Sequence, residues 1–339
     1  MSWSCGGNPP ASNIPEPGGR ATSPNVDIAV TAARPRPWGA RCWQAGTVHT
    51  TIDSATEVVS GIRFPEGNRW HDGRLWYSDM HTGEVFSIDP AVVDPRSDVA
   101  PRLETTIDGQ SSGLGWLSDG RLVVSAMNSR TIQAVGPDGT NAVFADLSSV
   151  ESSLLNDLVV DEATGRTYVG AFGYDLYGGE EPRPGPLYVV DPDGSSRLAA
   201  DGLVFPNSAN VLPGTRTLVV SETWGGRLTA FDIEADGSLS GRREWAALPD
   251  GVTPDGSTVD AEGAIWVCSV DTGEFLRVVE GGEVTDRIDA PGLCAIDCAL
   301  GGEDGRTLYL ATADSYDPET TARTRAGRIS AVRVTVPGP

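Results

Sequence analysis

The feature that most restricts this chain is a repeat. A short polar turn leading into a β-rich run occurs six times, as Asp72-Gly73-Arg74-Leu75-Trp76-Tyr77, Asp119-Gly120-Arg121-Leu122-Val123-Val124, Thr164-Gly165-Arg166-Thr167-Tyr168-Val169, Gly214-Thr215-Arg216-Thr217-Leu218-Val219, Glu262-Gly263-Ala264-Ile265-Trp266-Val267 and Asp304-Gly305-Arg306-Thr307-Leu308-Tyr309. The spacings are 47, 45, 50, 48 and 42 residues. A second β-rich run follows each copy, at residues 85–88, 131–135, 187–190, 228–231, 275–279 and 329–334. A period of this length, with about four short strands per unit, marks propeller blades, because each sheet needs a neighbour on both sides to bury its two faces. The expectation is an all-β chain: a six-bladed β-propeller over residues 46–336 behind an irregular N-terminal extension, residues 1–45, rich in Pro, Gly, Ser and Ala. A two-sheet sandwich has no reason to show so long a repeat. No stretch keeps a 3.6-residue period for a dozen residues, so little helix is expected. Trp70, Trp116, Trp245 and Trp266 read as packing residues between blades.

The repeat also predicts where chemistry gathers. Strands of a blade alternate in direction, so the turn between the first two lies at one rim and the start of the innermost strand at the other. Six to eight residues before the turns stand Glu66, Ser112, Asn156, Asn207, Asp255 and Asp297. Carboxylates converging on a narrow channel repel one another and lose hydration, which a proton or a cation relieves. Ca²⁺ takes six to eight oxygen ligands with flexible geometry and suits such a ring, with Mg²⁺, Mn²⁺ and Zn²⁺ as alternatives. Taken singly, each position reads better as a turn or cap residue; the shared phase argues for a site.

The loops joining second and third strands return to the same rim and are expected to wall a substrate pocket. They carry His81, Asn128, Tyr174, Tyr177 and Trp224. Ser112 and Asp297, within the ring, are assigned to the substrate with them. His81 is a candidate base, although a lone loop histidine more often packs or is solvated.

Composition removes several function classes. The formal charge is −22, with 47 acidic against 25 basic residues, the opposite of a phosphate-binding surface, so no nucleic-acid partner is expected. Every basic residue is Arg, which excludes a Lys Schiff base and a Lys-containing P-loop. No apolar run is long enough to span a membrane. Residues 1–10 lack a charged start and an apolar core, so the cytoplasm is the expected compartment. Cys5, Cys42, Cys268, Cys294 and Cys298 form no Cys-x-x-Cys pair and read as buried free thiols. A small-molecule substrate and a monomer or homodimer complete the expectation.

Several stretches together resemble a known family. These are Phe64-Pro65-Glu66-Gly67-Asn68-Arg69-Trp70-His71-Asp72-Gly73-Arg74-Leu75-Trp76-Tyr77-Ser78-Asp79-Met80, Asn156-Asp157-Leu158-Val159-Val160-Asp161, Phe205-Pro206-Asn207 and Pro254-Asp255-Gly256. They are similar to the gluconolactonase, regucalcin (senescence marker protein) and luciferin-regenerating enzyme family of six-bladed propellers, over residues 48–334. The resemblance implies a divalent-metal site made by Glu66, Asn156, Asn207 and Asp255, and lactonase-type hydrolysis in which Asp255 is the general base, with Glu66 beside it in the catalytic centre. Departures are Ser208 and Ala171, where many relatives carry Asn, and Asp297, where they carry a small or apolar residue.

Three rivals stand beside this reading. Gly109-Gln110-Ser111-Ser112-Gly113 formally matches a nucleophile elbow, but β-type sequence follows it and His49, His71 and His81 all precede it. A non-catalytic ligand-binding propeller requires no oxygen-rich ring. A metal-dependent isomerisation, cyclisation or dehydration keeps the site and changes the reaction, since fold does not dictate chemistry.

Overall fold

A computed structural model describes residues 47–89 and 100–339; the expectation for residues 1–45 lies outside them. Six sheets form, one per sequence repeat. Blade one orders its strands from the channel outwards as Pro65–His71, Arg74–Asp79, Glu84–Ile88 and Arg102–Thr106. Blades two to five follow the same order, their inner strands being Ser111–Trp116, Leu155–Asp161, Pro206–Val211 and Pro254–Val259. The six polar turns lie between first and second strands, and the second β-rich run of each repeat is the third strand.

The closure was not legible in the repeat. Blade six supplies only Cys294–Gly301, Thr307–Ala313 and Gly327–Arg333, and its outer strand is Thr56–Ile62, which precedes blade one and pairs antiparallel with Gly327–Arg333. Joining a strand that precedes blade one to the last strands of the propeller in one sheet closes the ring and removes its weak seam. Val48–Thr51 adds a parallel fifth strand to blade five along Val284–Asp289.

Six apolar cores sit between the six pairs of neighbouring blades. Trp245 and Trp266 are buried in two of them, Trp70 stacks on Tyr309 at 5.6 Å, and Trp116 stacks on His71 at 3.9 Å. A seventh cluster forms a collar at one rim, with contributions such as Phe64, Met127, Phe172, Phe205, Val270 and Ile296. The single α-helix among the described residues, Pro318–Thr324, lies in the loop between the second and third strands of blade six. No helix among them is long and apolar enough to cross a membrane. Cys268 and Cys298 are buried and free as expected, whereas Cys294 is disulfide-bonded and departs from that expectation.

Candidate metal and active site

Every inner strand carries the same irregularity near its start. Between Glu66 and Arg69, three steps along the inner strand are matched by two on its neighbour, from Ser78 to Trp76. Equivalent shifts follow Ser111, Leu155, Pro206, Pro254 and Ala295. A bulge of this kind turns a side chain out of the ordinary alternation. Glu66, Ser112, Asn156, Asn207 and Asp255 are the second residues of the first five inner strands, and all are buried.

Asp297 is not the sixth member of that ring. The inner strand of blade six begins at Cys294, opposite Ala313, so Ala295 takes the ring position and Asp297 lies two residues further along. Counting back from the turn misplaces it because this strand runs eight residues, Cys294–Gly301, longer than its counterparts. Both its oxygens are committed: Asn68 N–H donates to Oδ2 and Cys298 N–H donates to Oδ1 at 2.7 Å. Asp297 therefore belongs to a deeper layer, fully buried, and the sequence assignment of this side chain to substrate contact gains nothing from the geometry.

In the ring, Asn207 Nδ2 donates to Asp255 Oδ1 and to Thr223 Oγ1, and Asn156 Nδ2 donates to the carbonyl of Pro206 at 3.1 Å. Each amide thus spends its nitrogen on protein acceptors and leaves Oδ1 uncommitted. Glu66 receives only the N–H of Gly67, at 3.3 Å. Burial raises the pKa of Glu66 well above the usual carboxylate value, and the charges of Asp255, Asp297 and Asp157 add to it. Asp255 is raised likewise by burial and then by Asp297, while the Asn207 hydrogen bond opposes the shift. Neither ring carboxylate has an ion-pair partner among the described residues. Nor do three or more His, Cys, Asp or Glu converge in metal-holding geometry there; the four-residue set contains only two such side chains, and its other two donors are amides.

Below the ring lies a charged layer that sequence reasoning missed. Arg69 Nη2 donates to both oxygens of Asp157, at 2.9 and 3.1 Å, and to the carbonyl of Leu158 at 2.9 Å. Its Nη1 donates to the carbonyl of Asn68 and stands 3.9 Å from Asp297 Oδ2. Burial pushes Asp297 up to about 7 against the opposing pull of Arg69. The signal was present, since Arg69 and Asp157 fall inside the motifs quoted above, but no spacing rule pairs residues 88 positions apart.

The predicted pocket residues fall into two groups. Trp224 Nε1 donates to the hydroxyl of Tyr174 at 2.8 Å, and both rings pack on Phe205, forming an aromatic wall whose outer member, Trp224, is 39% exposed. Asn128 and His81 make local structural contacts. Asn128 Oδ1 accepts the N–H of Gln110 at 2.7 Å, and His81 stacks on Phe64 at 4.8 Å while its Nδ1 meets Thr321 Oγ1 at 2.7 Å. Burial lowers His81 to about 4, so it is neutral and a poor proton acceptor near neutral pH. Ser112 Oγ is buried and has no hydrogen-bond partner among the described residues.

Tyr177 adds what position alone could not show. The residue is 45% exposed, and its phenol is raised to about 12, by burial first, with the charges of Glu66, Asp255 and Asp317 adding to the shift and a hydrogen bond with Gln110 opposing it. The phenol therefore stays a neutral donor close to the ring carboxylates.

Comparison with known proteins matches this architecture. The model of the SMP-30/Gluconolactonase/LRE-like region matches residues 64–314. Pentonolactonase XacC of Haloferax volcanii is 28% identical over 267 residues, covering 77% of this chain and 85% of that protein. The 6-deoxy-6-sulfogluconolactonase of Pseudomonas putida is 31% identical over 196 residues, covering 56% of this chain and 65% of its own length. Among solved structures, a calcium-binding protein, regucalcin, from Agrobacterium tumefaciens superimposes with a TM-score of 0.71 at 20% identity, over 87% of this chain and 98% of that one; at that identity the likeness speaks for the fold. The match across most of the propeller, on top of the observed blades, places the chain in the SMP-30/gluconolactonase/LRE-like family.

Proposed function

We propose that this protein hydrolyses lactones, using a divalent cation, Ca²⁺ by preference, held by Glu66, Asn156, Asn207 and Asp255. One observation carries the metal reading: Glu66 and Asp255 are both buried with raised pKa values, the charge of Asp255 adds to the shift of Glu66, and neither has a cationic partner among the described residues. An uncompensated pair of buried carboxylates is costly, and a hard cation with oxygen ligands relieves that cost. The uncommitted Oδ1 atoms of Asn156 and Asn207 complete an all-oxygen donor set.

A cation bound there supplies Lewis acidity to the lactone carbonyl and stabilises the charge that develops on its oxygen. The remaining work belongs to the chain. Asp255 Oδ1 is held by Asn207, which leaves Oδ2 to take a proton from the attacking water. The water oxygen bonds to the carbonyl carbon, the ring C–O bond breaks, and the leaving oxygen recovers a proton, giving the open hydroxy acid. Tyr174 and Trp224 flank the mouth with apolar surface, and the Tyr177 hydroxyl offers a hydrogen bond to a substrate oxygen.

The test is a panel of aldonolactones and alkyl lactones assayed in a pH-stat, with metal-loaded and chelator-treated protein, in ¹⁸O-labelled water. Metal-dependent acid release with solvent oxygen in the product is expected. Turnover without incorporated label would replace hydrolysis by a rearrangement, and a full panel without turnover would leave a binding propeller.

A further inference from the structure

Arg69 makes a contact that no blade requires. Its strand belongs to blade one, while Asp157 and Leu158, which it grips with three hydrogen bonds, belong to blade three. Blade two lies between them and clears the way: a Cβ on Gly113 would fall 2.2 Å from Asp157 Oδ1 and 2.2 Å from Leu158 N. The same guanidinium approaches Asp297 of blade six. Asn68, which shares this layer, has both side-chain polar atoms buried and without partners.

We propose that Arg69 is a positioning residue for the metal ring, acting as a tie across the channel that sets the separation of its ligands. The inference rests on the metal reading given above. Hydrogen bonds within a sheet fix neighbours in one blade, but they leave the distance between non-adjacent blades to side-chain packing. Glu66 stands three residues before Arg69, and Asn156 stands immediately before Asp157. A single guanidinium nitrogen, Nη2, is shared by both oxygens of Asp157 and the carbonyl of Leu158, a charge-assisted contact that holds blade three at a set distance from blade one, so the Arg69–Asp157 contact transmits one geometry to two ligands. It also engages Asp157 beneath the ring, which keeps that carboxylate from competing for the cation.

The test is calorimetric Ca²⁺ titration of the full chain and its variants, with thermal unfolding of the metal-free forms measured in parallel. Arg69→Met is expected to weaken Ca²⁺ binding at least tenfold, and Arg69→Lys to recover part of the loss. Asp157→Asn, which keeps the shape and most hydrogen bonds, is expected to weaken binding severalfold and serves should Arg69→Met not fold. The double variant Arg69→Met/Asp157→Asn should bind no more weakly than Arg69→Met, because the two act as one unit. Ca²⁺ affinity within twofold of the unmodified protein in Arg69→Lys and Asp157→Asn, whatever the change in melting temperature, would overturn the proposal. Tighter binding in Arg69→Met would do the same, since Asp157 would then be acting as a ligand. Failure of the unmodified protein to bind any of Ca²⁺, Mg²⁺, Mn²⁺ or Zn²⁺ would instead remove the metal reading itself.

Discussion

Asn207 donates its Nδ2 hydrogen to Oδ1 of Asp255, joining the inner strands of blades four and five at the mouth of the channel. The bond has two consequences. It fixes which oxygen of Asp255 is free, and it turns the carbonyl oxygen of Asn207 away from that task. In the metal site proposed above, a carboxylate and an amide arranged in this way are prepared for a shared cation before one arrives.

Removing the carboxylate should therefore abolish more than one property. Asp255→Ala is expected to lose measurable Ca²⁺ binding and to lower kcat/KM by at least about 10²-fold, the lower range for loss of a general base. Calorimetry and a lactone assay on one preparation check both; full activity in a variant that binds no metal would contradict the assignment.

The pH dependence of stability follows from the raised carboxyls. A buried acid whose folded pKa exceeds its unfolded value binds more protons when folded, so its contribution is fully present below the unfolded pKa and is lost as pH rises through the folded one. For Asp297 that window runs from the ordinary value of about 3.9 to about 7, and the upward shifts of Glu66 and Asp255 act in the same sense. Metal-free protein should lose melting temperature across this range. Added Ca²⁺ should raise the melting temperature more at pH 8 than at pH 5, because only ionised carboxylates bind it; scanning fluorimetry with and without chelator reads the difference.

Tyr177→Phe removes one hydroxyl and keeps the ring. The loss of a hydrogen bond of about 0.5–1.5 kcal/mol should raise KM about three- to tenfold and leave Ca²⁺ affinity unchanged. Because burial and nearby carboxylates hold this phenol at about 12, the unmodified enzyme should show no alkaline limb from Tyr177 below pH 10. An unchanged KM across the lactone panel would take Tyr177 out of the binding site.

Asp297→Ala should act on stability more than on specificity. It strands the buried N–H groups of Asn68 and Cys298, at roughly 1–3 kcal/mol for each unsatisfied donor. A clear fall in melting temperature with an unaltered ranking of lactone substrates is expected, and comparison of that ranking in the two proteins decides it.

The fold was legible because a propeller repeats its instructions. Each turn, such as Asp72-Gly73, and each third strand, such as Glu84–Ile88, is specified by a local run of residues. The strand Thr56–Ile62 escaped because it closes a blade whose other strands lie more than two hundred residues away, and nothing local marks such a pairing. Asp297 was misread for a related reason: its distance from the turn matches that of the ring residues, while the register that counts is set by pairing with Ala311.

By itself the sequence determined the number of blades and the rim at which the inner strands begin, and it put Glu66, Ser112, Asn156, Asn207 and Asp255 in one phase, since these depend on short segments repeated along the chain. Only the tertiary structure decided that Arg69 reaches Asp157, that the Tyr177 phenol feels the charges of Glu66 and Asp255, that His81 is packed and neutral and that Asp297 lies one layer down. Those relationships join side chains from different blades, and their distances follow from how six sheets pack around one axis.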